Sequence, residues 1–337
     1  MSQLSVNAIT DAAGGNTATI NGMTPTAQSL QGFRNRLINS DMRIDQRNNG
    51  ASVTPTDGQY TLDRWKLDVS QTSKLTVQQN AGAVTPPSSF SNYLGVTSSS
   101  AYSVLTGDYF ALRQIIEGFN SADLAWGTAS AQTVTLSFWV RSSLTGAFGG
   151  SLRNNAGNRS YPFTYSIGAA NTWEQKTVTI AGDTTGTWLT TNGTGINVWF
   201  GLGVGATFSG TAGAWNANNN FSATGAVSVV GTSGATFYLT GVQLEAGPVA
   251  TPFERRPYGS ELALCERYYH TNGVNSYIAQ STAWNAYVFP QKMRTTPTLT
   301  LTPTSGTVTS GTISNAGFNS QGSTVAVGVT VVASAEL

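Results

Sequence analysis

The chain has 337 residues, of which 10% are Asp, Glu, Lys or Arg, with 17 basic and 16 acidic side chains and a formal net charge of +1. Its surface is therefore neutral and hydrogen-bonding, with no electrostatic footprint for nucleic acid or for an anionic membrane. A single cysteine, Cys265, excludes an intrachain disulfide; a single histidine, His270, leaves no zinc ligand set; and no apolar run approaches the ~18 residues of a membrane span.

Residues 1–33 alternate weakly (Leu4, Val6, Ile9) and are rich in Ala, Gly, Asn and Thr. This arm is too polar to build a core, so it either orders on a partner or is a disordered leader. From Arg34 to Arg256, strand signals recur between Gly, Asn, Pro and Ser clusters, at 37–44, 60–69, 74–79, 93–98, 109–117, 133–141, 163–167, 174–180, 198–204, 226–230 and 236–244. Short strands with turn chemistry between them predict an all-β fold, an antiparallel two-sheet sandwich of jelly-roll type. Its interior would bring Leu136, Phe138 and Val140 against Ile115 and Ile116. Residues 120–126 are expected to make a helical turn starting from Asn120 or Ser121.

Trp65, Trp139 and Trp199 lie inside alternating runs and are expected in the core. Trp188 and Trp215 lie in polar, loop-like surroundings, which makes them candidates to stack on a sugar ring or to pack against a neighbouring subunit or domain.

The stretch 235–271 is the most informative. An alternating strand runs to Leu244, with Phe237, Leu239, Gly241 and Gln243 on one parity and Tyr238, Thr240, Val242 and Leu244 on the other. Glu245-Ala-Gly-Pro breaks it, Pro252 and Pro257 bracket an extended segment, and a short helix follows with Ser260 as N-cap and Glu261 in its first turn. Leu262, Cys265 and Tyr269 share one helical face. Beyond it come alternating runs at 276–279, 284–293, 298–302, 307–313 and 323–333 with few large apolar side chains. The missing core is expected to be made up between chains, by β-structure, because no heptad or collagen period is present.

The succession V-Q-L-E-x-G from Val242, x-A-T-P-F-E-R-R-P from Val249 and E-L-x-x-C-x-R-Y-Y from Glu261 resembles a segment of structural proteins of tailed bacteriophages, fibre-like and carbohydrate-binding ones among them. The run at 35–47, Thr61-Leu62-Asp63-Arg64-Trp65, Met293-Arg294-x-x-Pro297, Gly317-Phe318 and Ala335-Glu336-Leu337 agree with it, so the resemblance spans roughly 34–337. It implies a virion-attachment arm (1–33), a carbohydrate-binding-module-like jelly roll (34–258) and a C-terminal trimerisation domain (259–337). The implied protein is a homotrimeric, non-enzymatic tail fibre. It would be made in the host cytoplasm without a signal peptide, located in the virion, bound to other virion proteins through the arm, and able to meet host-surface glycan. Phe253, Arg255, Arg256, Glu261, Arg267 and Tyr269 are the implied inter-domain or oligomer contacts. A head decoration protein and a glycan-processing enzyme are the alternatives.

The residues offer little catalytic chemistry. Asp41 and Asp45 would share one strand face beside Arg43 and Arg47, which reads as a salt-bridged edge strand; Asp63 and Asp68 would fall on opposite faces. His270 has no Gly-x-Ser-x-Gly elbow to serve and is expected at an interface or the surface, while Cys265 reads as a small buried hydrophobe. No catalytic residue, cofactor or metal is expected, and no EF-hand-like spacing supports calcium.

Overall fold

The computed structural model describes residues 33–272, 277–279, 284–322 and 327–337, so the arm lies outside the described residues except for Phe33. In chain order the strands are β1 (Gln59–Leu62), β2 (Trp65–Val69), β3 (Leu75–Gln79), β4 (Leu94–Ser98), β5 (Tyr109–Glu117), β6 (Val134–Ser142), β7 (Gly146–Arg153), β8 (Ser160–Ile167), β9 (Glu174–Ile180), β10 (Thr194–Val204), β11 (Ser209–Gly210), β12 (Ser222–Ala223) and β13 (Thr236–Ala246). Helix α1 (Tyr258–Glu266) leads to β14 (Tyr269–Thr271), β15 (Tyr277–Ala279), β16 (Asn285–Val288), β17 (Thr298–Pro303), β18 (Val308–Ile313), β19 (Gly317–Gly322) and β20 (Val327–Ser334).

A six-stranded antiparallel sheet, β1-β2-β5-β10-β7-β8, packs on a five-stranded one, β3-β4-β13-β6-β9, as a jelly-roll sandwich. Period-two alternation makes the interior: Phe110, Leu112 and Ile116 from β5 and Ile196, Val198, Phe200 and Leu202 from β10 share one core with Leu136, Phe138 and Val140 from β6. Ile116 joins that core; Ile115 does not.

Where the sequence reading departs from the fold, backbone conformation is the reason. The strand expected at 37–44 is absent, because Asn39 (φ 52°) and Met42 (φ 60°) turn the chain into left-handed backbone. That segment docks on β13. Strand β13 slips register against β6 between Thr240 and Gln243, at Gly241 (φ 59°), so Phe237 and Leu239 point inward before the bulge and Val242 and Leu244 after it. A Cβ at Gly241 would lie 2.5 Å from the Phe90 ring. The freed backbone groups are taken by the docked segment: Arg36 N–H donates to Leu244 O (2.9 Å), Val242 N–H to Ser40 O (3.0 Å), and Asn35 Nδ2 to Val242 O (2.9 Å).

Four further differences concern elements. The run 60–69 is a hairpin split at Arg64 (φ 68°). Strand β7 was not expected because it is Gly-rich, yet Gly150 is where a Cβ would strike the Trp199 carbonyl and the Phe163 ring. Residues 226–230 form no strand, although Val229 and Val230 close the core. The turn at 120–126 resolves into 3₁₀ turns at Gly118–Asn120 and Ala122–Leu124.

Helix α1 begins at Tyr258 with Pro257, not Ser260, at the N-cap. Cys265 and Tyr268 bury against Ile38 and Ile44. Tyr269 has already left the helix for β14. Strands β14, β15 and β17 pair with β20, and β16-β19-β18 form a second small sheet; β19 was not anticipated. Phe289, Met293, Phe318, Val329, Val331 and Ala333 make their shared core.

This C-terminal unit is tied back to the sandwich by charge. Glu336 pairs with Arg47 (2.5 Å) and with Arg64, whose side chain is 1% exposed and whose guanidinium lies 3.6 Å from the Tyr268 ring centroid. Nearby, Arg267 grips Glu117 at the end of β5 in a two-pronged pair (2.6 and 3.0 Å), and Tyr268 Oη donates to the same carboxylate (2.6 Å). Removing one partner of a buried pair strands the other charge, at a cost of roughly 3–5 kcal/mol. Glu336→Ala is accordingly expected to lower unfolding free energy by about that much in urea denaturation; a loss below about 1 kcal/mol, the value of an exposed pair, would mean that Arg64 does not depend on it.

Candidate functional site

Trp188 and Trp215, 27 positions apart in the chain, meet at one edge of the sandwich with Trp126. The three ring centroids lie 4.7 Å (Trp126–Trp188), 5.3 Å (Trp126–Trp215) and 5.4 Å (Trp188–Trp215) apart, with interplanar angles of 76–80°. Trp126 is buried, whereas Trp188 and Trp215 are half-buried and keep part of their rings in solvent. Each indole N–H is tethered: Trp126 to Gln132 O (2.8 Å), Trp215 to Ala181 O (2.7 Å), and Trp188 to Thr185 O (3.2 Å) and Asp183 Oδ2 (3.3 Å). Edge-to-face packing and spent donors fix the rings. Trp126 and Trp188 line a crevice of about 10 Å³ together with Leu189 and Ile196.

Two Asn-rich loops frame the rings. In the β7–β8 turn, Asn154 donates to Thr187 O (3.1 Å) and Asn158 Oδ1 (2.8 Å), and its own Oδ1 accepts from the backbone of Asn158 and Arg159. In the loop before β12, Asn216 exchanges backbone bonds with Ser160 and accepts from Asn220 Nδ2 (3.0 Å). Asn155, Asn158 and Asn218 are exposed. Arg159 holds Asp183 in a two-pronged pair (2.6 and 2.7 Å). Burial opposes ionisation of Asp183, but the Arg159 and Thr185 donors outweigh it and keep its carboxyl below the usual range.

A second group, passed over in the sequence, covers the outer face of the six-stranded sheet. Trp199 is buried, but not in the sandwich core: its ring stacks on Phe221 (4.2 Å, 2°), which stacks on Phe208 (4.7 Å, 11°). Arg113 lies 4.2 Å from the Trp199 centroid and grips Asp68 (2.7 and 2.9 Å); Arg153 lies 5.2 Å from the rings of both Trp199 and Phe221. The signal was present, since Trp199 falls on the parity opposite to Val198 and Phe200. Trp139 likewise sits half-buried outside the core, whereas Trp65 belongs to it.

Of the implied junction residues, Arg256 binds Leu37 O (3.1 Å), the Asn35 carbonyl and Glu261 (3.4 Å), while Glu261 accepts the Asn39 N–H. Arg267 reaches Glu117, and Tyr269 lies under the Arg47 guanidinium (3.7 Å). Phe253 and Arg255 are elsewhere: Phe253 packs on Phe90 (5.1 Å), and exposed Arg255 lies over Phe90 (4.7 Å), because the chain between Pro252 and Pro257 first crosses the outer face of the five-stranded sheet.

The carboxylates considered for acid–base work serve local structure. Asp41 pairs with Arg43 (2.7 Å), though not on a strand, and Asp45 accepts from the Asn48 and Gly50 backbone. Asp63 accepts from Gln46 Nε2 and backbone N (both 2.7 Å). His270 is buried between Glu266 (3.4 Å) and Tyr287 Oη (2.7 Å), and burial lowers its pKa despite Glu266. Cys265 is fully buried, which pushes its thiol up. Among the described residues no group of three or more His, Cys, Asp or Glu side chains is placed to hold a metal.

No family model matches the chain, and no curated protein matches it in sequence. Similar solved structures include the enzymatically active domain of tailspike protein 4 from bacteriophage CBA120, at 14% identity and TM-score 0.33, covering 60% of this chain and 22% of that one. The chain thus spans under a quarter of the tailspike chain it matches. Others are TmCBM61 in complex with beta-1,4-galactotriose (11%, TM-score 0.32, 64% of this chain and 99% of that one) and the family 11 carbohydrate-binding module of cellulosomal cellulase Lic26A-Cel5E of Clostridium thermocellum (14%, TM-score 0.27, 60% and 99%). At TM-scores this low these likenesses carry no argument about function.

Asp63 yields a pH test. Burial, acting against Arg47 and the Gln46 donors, raises its carboxyl from 3.8 to about 6. A folded-state value above the unfolded one contributes stability that is full below pH ~4 and lost as pH rises through about 6. Asp63→Asn, neutral throughout, should therefore gain on the wild type between pH 4 and pH 7 by about 2–3 kcal/mol in urea denaturation; parallel pH profiles would refute the shift.

Proposed function

We propose that this chain is a non-enzymatic structural protein of a phage virion, a trimeric tail fibre or fibre-like protein that attaches through residues 1–33 and binds host-surface glycan with its sandwich. The observation that carries the glycan reading is the tethered, half-buried pair Trp188 and Trp215, set 5.4 Å apart in loops whose Asn155, Asn158 and Asn218 are exposed. Sugars offer apolar C–H faces and neutral hydroxyls. Recognition calls for rigid aromatic surface with uncharged donors and acceptors close by, and this edge supplies both. Binding of the full chain to an array of bacterial-surface oligosaccharides should fall by at least about tenfold in Trp188→Ala and Trp215→Ala, the equivalent of ~1.4 kcal/mol. Binding that survives both substitutions, or no binding to any member, would remove this reading.

The trimer reading draws on the C-terminal unit. Trp284 (53% exposed), just before β16, and Ala286 and Val288 (75% exposed) on it share one outward parity, an apolar strip that a second copy would cover. Light scattering of the full chain is expected to give three times 35.3 kDa, and Val288→Asp to shift the mass toward the monomer. A monomeric wild type would end the trimer model. Truncation at Tyr258 is a poor alternative, since it would also remove Glu336 from Arg64.

A further inference from the structure

Arg153 is a half-buried cation that hydrogen-bonds to no carboxylate among the described residues. Its guanidinium lies against Trp199 and Phe221, and among the described residues its hydrogen-bond acceptor is Asn219 Oδ1. Asp68, whose charge acts on it, is already held by both prongs of Arg113. Arg153 Nε and Trp199 Nε1 are both buried with no hydrogen-bond partner. Burial, and then the like charge of Arg113, push Arg153 down to about 10. On the Trp199 ring, Arg113 spends Nε and both Nη atoms on Asp68 and Asn197, which leaves Arg153 as the guanidinium with a donor over for an oxyanion.

The place is contiguous with the tryptophan edge. Asn219 follows closely on Trp215 and Asn216 in one loop, and Asn154, next to Arg153, bonds to Thr187 beside Trp188. We propose that Arg153, with the charge of Arg113 beside it, forms a subsite for the carboxylate of an acidic sugar, so that the glycan bound at Trp188 and Trp215 carries uronic acid residues. The inference rests on the glycan reading above and names its ligand class. The neutral surface of the protein makes the point sharper: net charge of +1 gives no general attraction for polyanions, so selectivity for an acid must come from a local group of this kind.

The test follows indole N–H signals of the uniformly ¹⁵N-labelled full chain, assigned through single Trp→Phe variants, during titration with D-glucuronate, D-glucose and acetate. Glucuronate is expected to move the Trp199 and Trp215 signals together, with a Kd at least about tenfold below that of glucose, the worth of one charge-assisted contact. Arg153→Gln should erase that ratio while leaving the glucose response, and Arg153→Lys, which keeps the charge, should retain part of it. Equal response to glucose and glucuronate, or a ratio untouched by Arg153→Gln, overturns the acidic subsite and leaves the glycan reading standing. If acetate and glucuronate move Trp199 alike and no sugar moves Trp188 or Trp215, the anion site is not a sugar subsite and the glycan reading falls with it. Silence of all these signals overturns both.

Discussion

The burial of the Arg64 guanidinium is the constraint on which the rest of the molecule depends. It sits at the tip of the β1–β2 hairpin, out of water, and a charge there is tolerable only if it is paired and hydrogen-bonded. Glu336 supplies the opposite charge, Ile115 O accepts from Nη2 (2.6 Å), and the Tyr268 ring covers the guanidinium face. Each partner comes from a different part of the chain. The pair therefore seats the β1–β2 hairpin at the sandwich edge, the helix end and the C-terminal sheet on one another. Arg47 shares the same carboxylate and lies over Tyr269, so the junction is a cluster of charges and rings more than an apolar seam.

A second dependency runs through Gly241. The bulge there reverses which parity of β13 faces the core and leaves backbone groups exposed along the strand, and residues 35–40 fill the vacancy with their own backbone and the Asn35 side chain. Glu254 and Arg256 then hold that segment from the other side, Glu254 accepting from the backbone of Phe33 (2.5 Å) and Asn35 (2.6 Å). The beginning of the described chain is thus pinned by the same stretch that leads out of the sandwich into α1.

Much of this was legible in the sequence, and the exceptions have physical causes. Strands β5 and β9 were read with their observed ends: in β5 Phe110, Leu112 and Ile116 share one parity, and β9 alternates in burial from Glu174 to Ile180. Strand β7 was hidden because close approach of neighbouring groups demands glycine where a strand signal would place bulky residues. The segment 37–44 carries the composition of a strand, but its left-handed residues answer to a bulge some two hundred positions away, which no local pattern encodes. The site divides in the same way. Polar surroundings singled out Trp188 and Trp215, but their meeting at Trp126 is a property of the fold. Trp199 was misplaced because periodicity says which face a side chain takes, and not that an outer face can be roofed by Phe221 and Phe208.

The separation of 272 residues between Arg64 and Glu336 also orders events in time. A ribosome emits the hairpin long before it emits the counter-ion, so for most of synthesis Arg64 is better off in water and the hairpin tip gains nothing by closing. The sandwich core can collapse early on its apolar strands, while the junction remains open until residue 336 arrives, a closure slowed by the length of the intervening chain. A chain cut short by a nonsense codon or by proteolysis would carry a folded-looking sandwich with an unsealed end. The late carboxylate thus closes the junction only after every strand of the sandwich has been made.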